Sequence, residues 1–299
     1  MRVFLTGGTG YVGSAVLESL VRGGHQVDAL VRNREGAARV QARGATPVVG
    51  DLLDRSSWAD AAARADGAIH AAAQPGPRAR EADAAAIDVL TSLPAKDNRF
   101  LIYTSGIWVL GPAPAPVDET APVNPAEIVS WRPAHETRIL DAASPQLRTI
   151  VVRPGILYGS SRGIVGDLLK DAANSLVRVV GSGENHWPLI YDRDLGELYA
   201  RIVNTPAASG VYHANDEGDE TVNEIVEALG DHAHTQPSVR HVPLPEARKK
   251  MGPYADALVL DQRVRSPRAR ALGWTPTLHS VAGNVARLFE EWKRGKAAA

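Results

Sequence analysis

The run Thr6-Gly7-Gly8-Thr9-Gly10-Tyr11-Val12-Gly13 spaces three glycines so that they can hold a phosphate. The apolar stretch Met1 to Leu5 leads into it and a helical pattern from Ser14 to Arg22 follows, so the order reads strand, tight turn, helix. Absent side chains at Gly7, Gly10 and Gly13 permit the turn, the approach of a pyrophosphate to backbone N–H groups, and close packing of helix on strand. The phosphate then faces the N–H groups of Tyr11 and Val12, where the helix dipole favours negative charge. Glycines also mark ordinary turns, and it is the flanking strand and helix that give this run its meaning. After a stop at Gly23-Gly24, a second strand, Gln26 to Val31, ends in Arg32-Asn33-Arg34. An acid at that strand end would bind a ribose 2′-hydroxyl, whereas an arginine suits a 2′-phosphate. Asp28 lies too early in the strand to be that acid. Arg32 therefore predicts NADP ahead of NAD, the alternative being a solvated arginine at a strand end.

Strand-like and helix-like segments alternate in the way a parallel sheet covered on both faces requires. Thr46 to Val49 reads as strand three and ends at Gly50-Asp51-Leu52. Asp54 can cap a helix running to about Ala63. Gly67 to Ala71 reads as strand four, and the small side chains of Ala71, Ala72 and Ala73 would let a nucleotide lie close. Ala79 to Leu93 is helical in pattern and Arg99 to Thr104 is a fifth strand. The proline-rich segment Gly106 to Pro125 reads as a loop over the carboxyl ends of the strands, where substrate sites are commonly shaped. Ile128 to Ala143 is helical, with Pro133 near its start, and Leu147 to Arg153 is strand six. Beyond it come helices at Gly163 to Asn174 and Asp194 to Asn204, and a short strand at Arg178 to Val180. Val211 to Ala214, Val222 to Leu229 and Val239 to Val242 read as strand, helix and strand of a smaller lobe. Leu278 to Trp292 reads as a closing helix, and no internal repeat is visible.

The expected fold is α/β, a Rossmann-like doubly wound parallel sheet with a smaller C-terminal substrate lobe. Residues 1–160 would form the dinucleotide-binding core and 161–299 mainly the lobe, with some segments returning to the core. The 299 residues, 44% of them hydrophobic, suffice for such a core. A formal net charge of −1 gives no global pull toward nucleic acid or membrane. No cysteine is present, so disulfides, thiolate metal sites and cysteine nucleophiles are excluded. His232 and His234 lie near each other without further spaced ligands, so no metal is expected. Met1 runs directly into a strand with no basic n-region, long apolar segment or cleavage site, and a cytoplasmic location is expected.

Over nearly its whole length the chain resembles the extended short-chain dehydrogenases/reductases grouped with NAD-dependent epimerases and dehydratases. The resemblance rests on Thr6 to Gly13, Gly50-Asp51, Tyr103-Thr104-Ser105, Arg153-Pro154-Gly155 through Gly159, Gly181 to Asn185, Tyr191 to Leu195 and Leu272 to Pro276. It implies that Asp51 and Leu52 approach the adenine, Ala71 to Ala73 the ribose and pyrophosphate, and Pro154, Gly155, Ile156 and Leu157 the nicotinamide. Ser105 would take the place of the catalytic serine, whose hydroxyl steadies charge on a substrate oxygen. As a residue type it also suits a turn at a strand end.

The family's tyrosine and lysine, four residues apart on one helix face, are where the chain departs from the pattern. The aligned helix reads Trp131-Arg132-Pro133-Ala134-His135-Glu136. An indole N–H donates a hydrogen bond but does not shuttle protons near neutral pH. His135 has the spacing to meet a nicotinamide ribose and can titrate near neutrality; a structural helix histidine is the other reading. Glu136 reads as a solvent-facing residue or a partner for Arg132. Tyr103, Tyr158, Tyr191, His186 and Trp187 fall in cleft segments and are candidates for the missing proton, each also readable as a core aromatic or surface loop residue.

These readings lead to an NADP-binding oxidoreductase of atypical mechanism, acting on a small organic carbonyl, alcohol or related group. A redox-neutral epimerase or dehydratase on the same fold, and a non-catalytic NADP-binding sensor or scaffold, are the alternatives. The resemblance also admits a homodimer through surface helices.

Overall fold

The computed structural model describes residues 1–74, 76, 78–233 and 238–297. Its main sheet contains β1 (Arg2–Thr6), β2 (Gln26–Val31), β3 (Thr46–Val49), β4 (Gly67–His70), β5 (Arg99–Thr104), β6 (Leu147–Pro154) and β7 (Gly210–Ala214). They lie in the order β7-β6-β5-β4-β1-β2-β3, every pair parallel. The order reverses between β1 and β4, which opens a crevice at the carboxyl ends of those two strands.

Burial on both faces explains why these strands read as nearly unbroken apolar runs. Successive side chains point to opposite faces, so each strand feeds two cores. Val3 and Leu5 join one core with Phe100, Ile102, Ile150 and Val152. Helices α1 (Tyr11–Arg22) and α7 (Asp192–Val203) cover that face through Leu17, Leu20, Leu195 and Leu198. Phe4, Leu101, Tyr103 and Val151 point the other way, toward α3 (Ala59–Arg64), α4 (Ala79–Thr91) and α5 (Arg132–Asp141). Trp58 stacks on Phe4 there at 5.5 Å. Parity along the strands puts Thr6, His70 and Tyr103 on this second face, and the register sets them side by side, Thr6 opposite His70 and His70 opposite Tyr103.

A third core holds the smaller lobe. It packs α6 (Gly163–Ala173), α8 (Val222–Ala233) and the closing helix Val285–Ala297 around Trp187, Tyr158 and Tyr191. Two parallel strand pairs border it, Ile156–Tyr158 with Leu189–Tyr191 and Leu176–Val180 with Ser238–Val242.

Several expectations change. The segment 211–214, read above with the lobe, is β7, the strand paired to β6 at the sheet edge. The proline-rich stretch 106–125 is not all loop. Ala113–Val117 pairs with Gln262–Val264, an edge position that tolerates Pro114 and Pro116 because the missing N–H groups face away from the ladder. Asp54 caps only a short 3₁₀ turn, Arg55–Ser57, through the Ser56 N–H, and α3 begins afresh after Trp58. Helix α5 begins at Arg132, not Ile128, which leaves Pro133 in the first turn where its absent N–H costs nothing. The closing helix starts at Val285 rather than Leu278, because 278–281 is used to dock against other segments.

Candidate active site

The glycine loop lies at the crevice between β1 and β4. Gly7 has φ +78°, and a Cβ there would sit 2.5 Å from the Ala71 carbonyl oxygen. A Cβ on Gly13 would sit 2.1 Å from the Gly7 oxygen, so helix α1 packs on the loop only because residue 13 has none. The Gly10 N–H closes the turn on the Gly7 carbonyl at 2.8 Å. Gly10 caps α1 without a side chain, leaving the first-turn N–H groups of Tyr11 and Val12 with no side-chain acceptor. A turn too tight for a Cβ at Gly7 or Gly13, followed by first-turn N–H groups that no side chain caps, fits a pyrophosphate.

Around that cradle the other expected cofactor residues fall as follows. Arg32 is exposed at the end of β2 and has no hydrogen-bond or ion-pair partner among the described residues. Its neighbour Asn33 caps helix α2 (Arg34–Gln41) by accepting the Gly36 N–H at 2.8 Å. Asp28 is buried in mid-strand, 3.4 Å from the Arg2 guanidinium. Asp51 and Leu52 follow β3, and Asp51 accepts the Leu53 N–H at 2.9 Å. Ala71 and Ala72 are tied to β1 by N–H bonds to the carbonyl and hydroxyl oxygens of Thr6, both 3.3 Å, and Ala73 is exposed beside them. Pro154 ends β6 and Gly155 and Ile156 follow it, all three buried, and a Cβ on Gly155 would sit 2.4 Å from the Pro188 oxygen. Leu157 is half-buried.

Sequence reasoning missed two arginines. Arg39 of α2 and Arg162, before α6, both donate to the Thr9 carbonyl, at 2.8 and 3.2 Å. Arg162 also donates to Ser14 Oγ at 2.8 Å and lies over the Tyr11 ring. They fix the glycine loop from two sides. Arg39, one helical turn after Glu35, looks in sequence like an ordinary surface pair, and nothing near Arg162 in sequence signals the contact.

The chemistry-bearing residues gather at the carboxyl end of β5. Ser105 is 7% exposed, its N–H bonds to the Val152 carbonyl at 2.8 Å, and its buried Oγ has no partner among the described residues. Arg132 donates to the Thr104 carbonyl at 2.8 Å and thereby fastens the start of α5 beside Ser105. Trp131, the residue before α5, is half-buried; its ring carries the Arg132 guanidinium and meets the His135 ring edge-on at 4.9 Å.

Behind this surface stands a carboxylate that the sequence reading did not single out. Asp83, buried on α4, accepts from His135 Nδ1 at 2.7 Å and from the Tyr103 hydroxyl at 2.8 Å on Oδ2, and from His70 Nε2 at 3.1 Å on Oδ1. Burial opposes its ionisation, but the hydrogen bonds from His135 and His70, with Arg132 nearby, hold the carboxyl well below the usual carboxylate range. Thr6 Oγ1 lies 2.7 Å from His70 Nδ1 and itself accepts the Ala72 N–H. One consistent proton assignment follows: Ala72 N–H to Thr6, the Thr6 hydroxyl to His70 Nδ1, and His70 Nε2–H to Asp83. His135 likewise gives Nδ1–H to Asp83, while its Nε2 has no hydrogen-bond partner among the described residues.

Glu136 is neither solvent-facing nor paired with Arg132. It is buried and holds Arg153 through Nε at 3.1 Å and Nη2 at 2.5 Å. The other proton candidates are committed to structure. Burial and the Asp83 and Arg132 surroundings push the Tyr103 hydroxyl far above its ordinary value, so it remains a donor to Asp83. Burial does the same to Tyr158, which donates to Asp216, and pushes Tyr191 up to about 12, where it donates to Glu291. Trp187 donates to the Leu258 carbonyl, and His186 Nδ1 is 2.7 Å from Asp261. Among the described residues no group of three or more His, Asp or Glu side chains is arranged so that it could hold a metal ion; His234 lies outside them.

Comparisons with known proteins agree with this architecture. The sequence model of the NAD dependent epimerase/dehydratase family matches residues 3–215. An uncharacterized protein of Schizosaccharomyces pombe, C2A9.02, is 30% identical over 294 residues, 96% of this chain and 98% of its own. A 2-alkyl-3-oxoalkanoate reductase of Stenotrophomonas maltophilia is 28% identical over 253 residues, covering 77% of this chain and 76% of its own. The crystal structure of human epimerase family protein SDR39U1 with NADPH superposes with a TM-score of 0.77 at 20% identity, over 97% of this chain and 99% of that one. With the glycine cradle at the sheet's reversal point and a family match over most of its length, this chain belongs to the NAD dependent epimerase/dehydratase family of extended short-chain dehydrogenases/reductases.

Proposed function

We propose that the protein is an NADP-dependent oxidoreductase acting on a small organic carbonyl, or on the corresponding alcohol, without the family's tyrosine. The observation that carries this reading is the Ser105 hydroxyl, buried, unpartnered among the described residues, and set at the end of β5 beside the segment leading to Pro154. A buried hydroxyl without a partner costs roughly 1–3 kcal/mol, a cost relieved when a substrate oxygen accepts from it. Two comparisons point the same way: one relative is named a reductase of 3-oxoalkanoates, and one structural neighbour holds NADPH.

In this reading the N–H groups at the start of α1 hold the pyrophosphate, Arg32 meets the 2′-phosphate, and Pro154 to Leu157 border the nicotinamide. The bound cofactor supplies the hydride. Ser105 donates to the substrate oxygen and steadies the charge that develops on it. Trp131 closes the site with an apolar face and an N–H donor, and His135 stands at the position of the family's lysine with Nε2 unpartnered among the described residues.

The test mixes the protein with NADPH and a panel of carbonyl probes: an aliphatic β-keto ester, an aromatic aldehyde and an ortho-quinone. NADPH oxidation that falls by about a hundredfold in Ser105→Ala is the expected outcome. Tight NADPH binding with no oxidation by any probe would favour the sensor alternative, toward which Trp131 points. Arg32→Ala is expected to weaken NADPH by about tenfold or more and NADH by less than twofold, measured by quenching of protein fluorescence. Equal weakening of both would refute the 2′-phosphate role.

A further inference from the structure

We propose that Asp83 and His135 form an acid–base dyad that replaces the family's tyrosine, with His135 Nε2 as the atom that gives its proton to the substrate oxygen. The inference rests on the oxidoreductase reading above and names the proton donor that reading lacks.

Both carboxylate oxygens of Asp83 accept hydrogen bonds. Its Oδ1 is taken by His70 and its Oδ2 by His135 and Tyr103. Because Asp83 is ionised, each of the three neighbours must direct a hydrogen at it. For His135 this fixes the neutral tautomer: the proton is on Nδ1 and the lone pair on Nε2. The side chain is 6% exposed, and Nε2 has no hydrogen-bond partner among the described residues. When His135 takes a second proton, that proton can reside only on Nε2, and the resulting imidazolium lies against a carboxylate that stabilises it.

Every charged or titratable group facing His135 is compatible with this role. Asp83 comes from α4, with His70 of β4 on its far side and Tyr103 of β5 sharing Oδ2. On its own helix, Arg132 is directed to the Thr104 carbonyl and Glu136 to Arg153. Tyr103 is locked as a donor and cannot compete for the proton. Asp83 touches no reacting atom and is a positioning residue.

In reduction the bound dinucleotide would supply a hydride to the carbonyl carbon and would itself be oxidised. The carbonyl oxygen gains the Nε2 proton as its π bond opens, and the imidazolium leaves as neutral imidazole, to be reprotonated by water. Mass and charge balance with one NADPH and one proton from solvent. Ser105 holds the oxygen while His135 delivers to it, so the two jobs of the missing tyrosine are divided between two side chains.

The first readout needs no substrate. A ¹⁵N-resolved titration of the histidine rings in the whole protein, with His135→Gln used for assignment, is expected to show neutral His135 carrying its proton on Nδ1 and titrating at Nε2. The second is a single turnover of NADPH-saturated protein with the ortho-quinone across pH. The wild-type rate is expected to fall as pH rises through the His135 titration. His135→Gln loses that limb and about a hundredfold in rate. Asp83→Asn moves the limb to lower pH, a change that a merely structural role for Asp83 would not produce. A neutral proton on Nε2, or a limb that survives in His135→Gln, overturns the dyad. If His135→Gln does not fold, the wild-type ring titration and Asp83→Asn decide the matter. A wild type that binds NADPH but reduces no probe defeats the oxidoreductase reading and the proton delivery with it, and the ring titration still reports separately whether the tautomer assignment holds.

Discussion

Two histidines at this end of the sheet are buried to nearly the same degree and face opposite charges. His135, 5% exposed, gives Nδ1–H to the Asp83 carboxylate and leaves Nε2 open. His213 of β7 is fully buried, directs Nδ1 at the Arg265 carbonyl and receives Arg153 Nη1 on Nε2 at 3.5 Å. Burial and the neighbouring Arg153 push His213 down to about 3, so it stays neutral throughout the physiological range. Consecutive residues of α5 build these contrasting surroundings, His135 reaching Asp83 and Glu136 reaching Arg153. Burial alone does not decide what a histidine can do. The sign of the adjacent charge and a free ring nitrogen do.

The comparison can be broken most severely on the His213 side. Glu136→Ala leaves the Arg153 guanidinium buried without its carboxylate, and urea unfolding is expected to show a loss of about 3–5 kcal/mol. A loss under 1 kcal/mol would mean that water reaches Arg153. On the other side, Asp83→Ala removes the acceptor of three donors but strands no buried charge, since all three are neutral in the proton assignment above. A smaller loss is expected, roughly 1.5–3 kcal/mol by the same measurement.

The pH dependence of stability should sharpen the contrast. The folded pKa of His213, about 3, lies below the ordinary 6.5, so between these values the unfolded chain binds a proton that the native state refuses. Stability must then fall as pH drops from 6.5 toward 3, with a slope from this group of at most about 1.4 kcal/mol per pH unit. His213→Gln is expected to flatten acid unfolding in that window. Asp83 has the ordinary sign for a depressed carboxylate: its stabilisation is complete above the unfolded-state value and is lost as pH falls below it, and Asp83→Asn should flatten the profile only at the more acidic end. Identical profiles for wild type and His213→Gln would contradict the neutral assignment of His213.

The sequence displayed the nucleotide half of the site far better than the chemical half, for a physical reason. The glycine loop is a backbone device confined to residues 6–13, and its requirement for absent side chains is written in Gly7, Gly10 and Gly13. Strands buried on both faces likewise show as apolar runs, and the bounds of β5 match the expected ones residue for residue. The Asp83 cluster draws on β1, β4, α4, β5 and α5, so its members are scattered from Thr6 to His135. Asp83 itself sits in an alanine-rich helix, where one acid reads as solvated surface. Trp131 and His135 were visible as departures from a family pattern, but what replaced the pattern depended on strand register, which places His70 beside Tyr103. Glu136 was misread because its partner, Arg153, lies 17 residues away on β6. Segment 211–214 reads with the lobe because sequence order, although it allows segments after 160 to return to the core, does not say which of them do.

Hydride transfer from NADPH at a site whose tyrosine is replaced by Trp131 can be tested directly. The most direct measurement supplies NADPH deuterated at the transferring carbon together with the carbonyl probes and examines the products by mass spectrometry. Deuterium is expected on the former carbonyl carbon, with the labelled product nearly lost in Ser105→Ala. NADPH bound at saturation with unlabelled, unchanged probes would contradict that transfer.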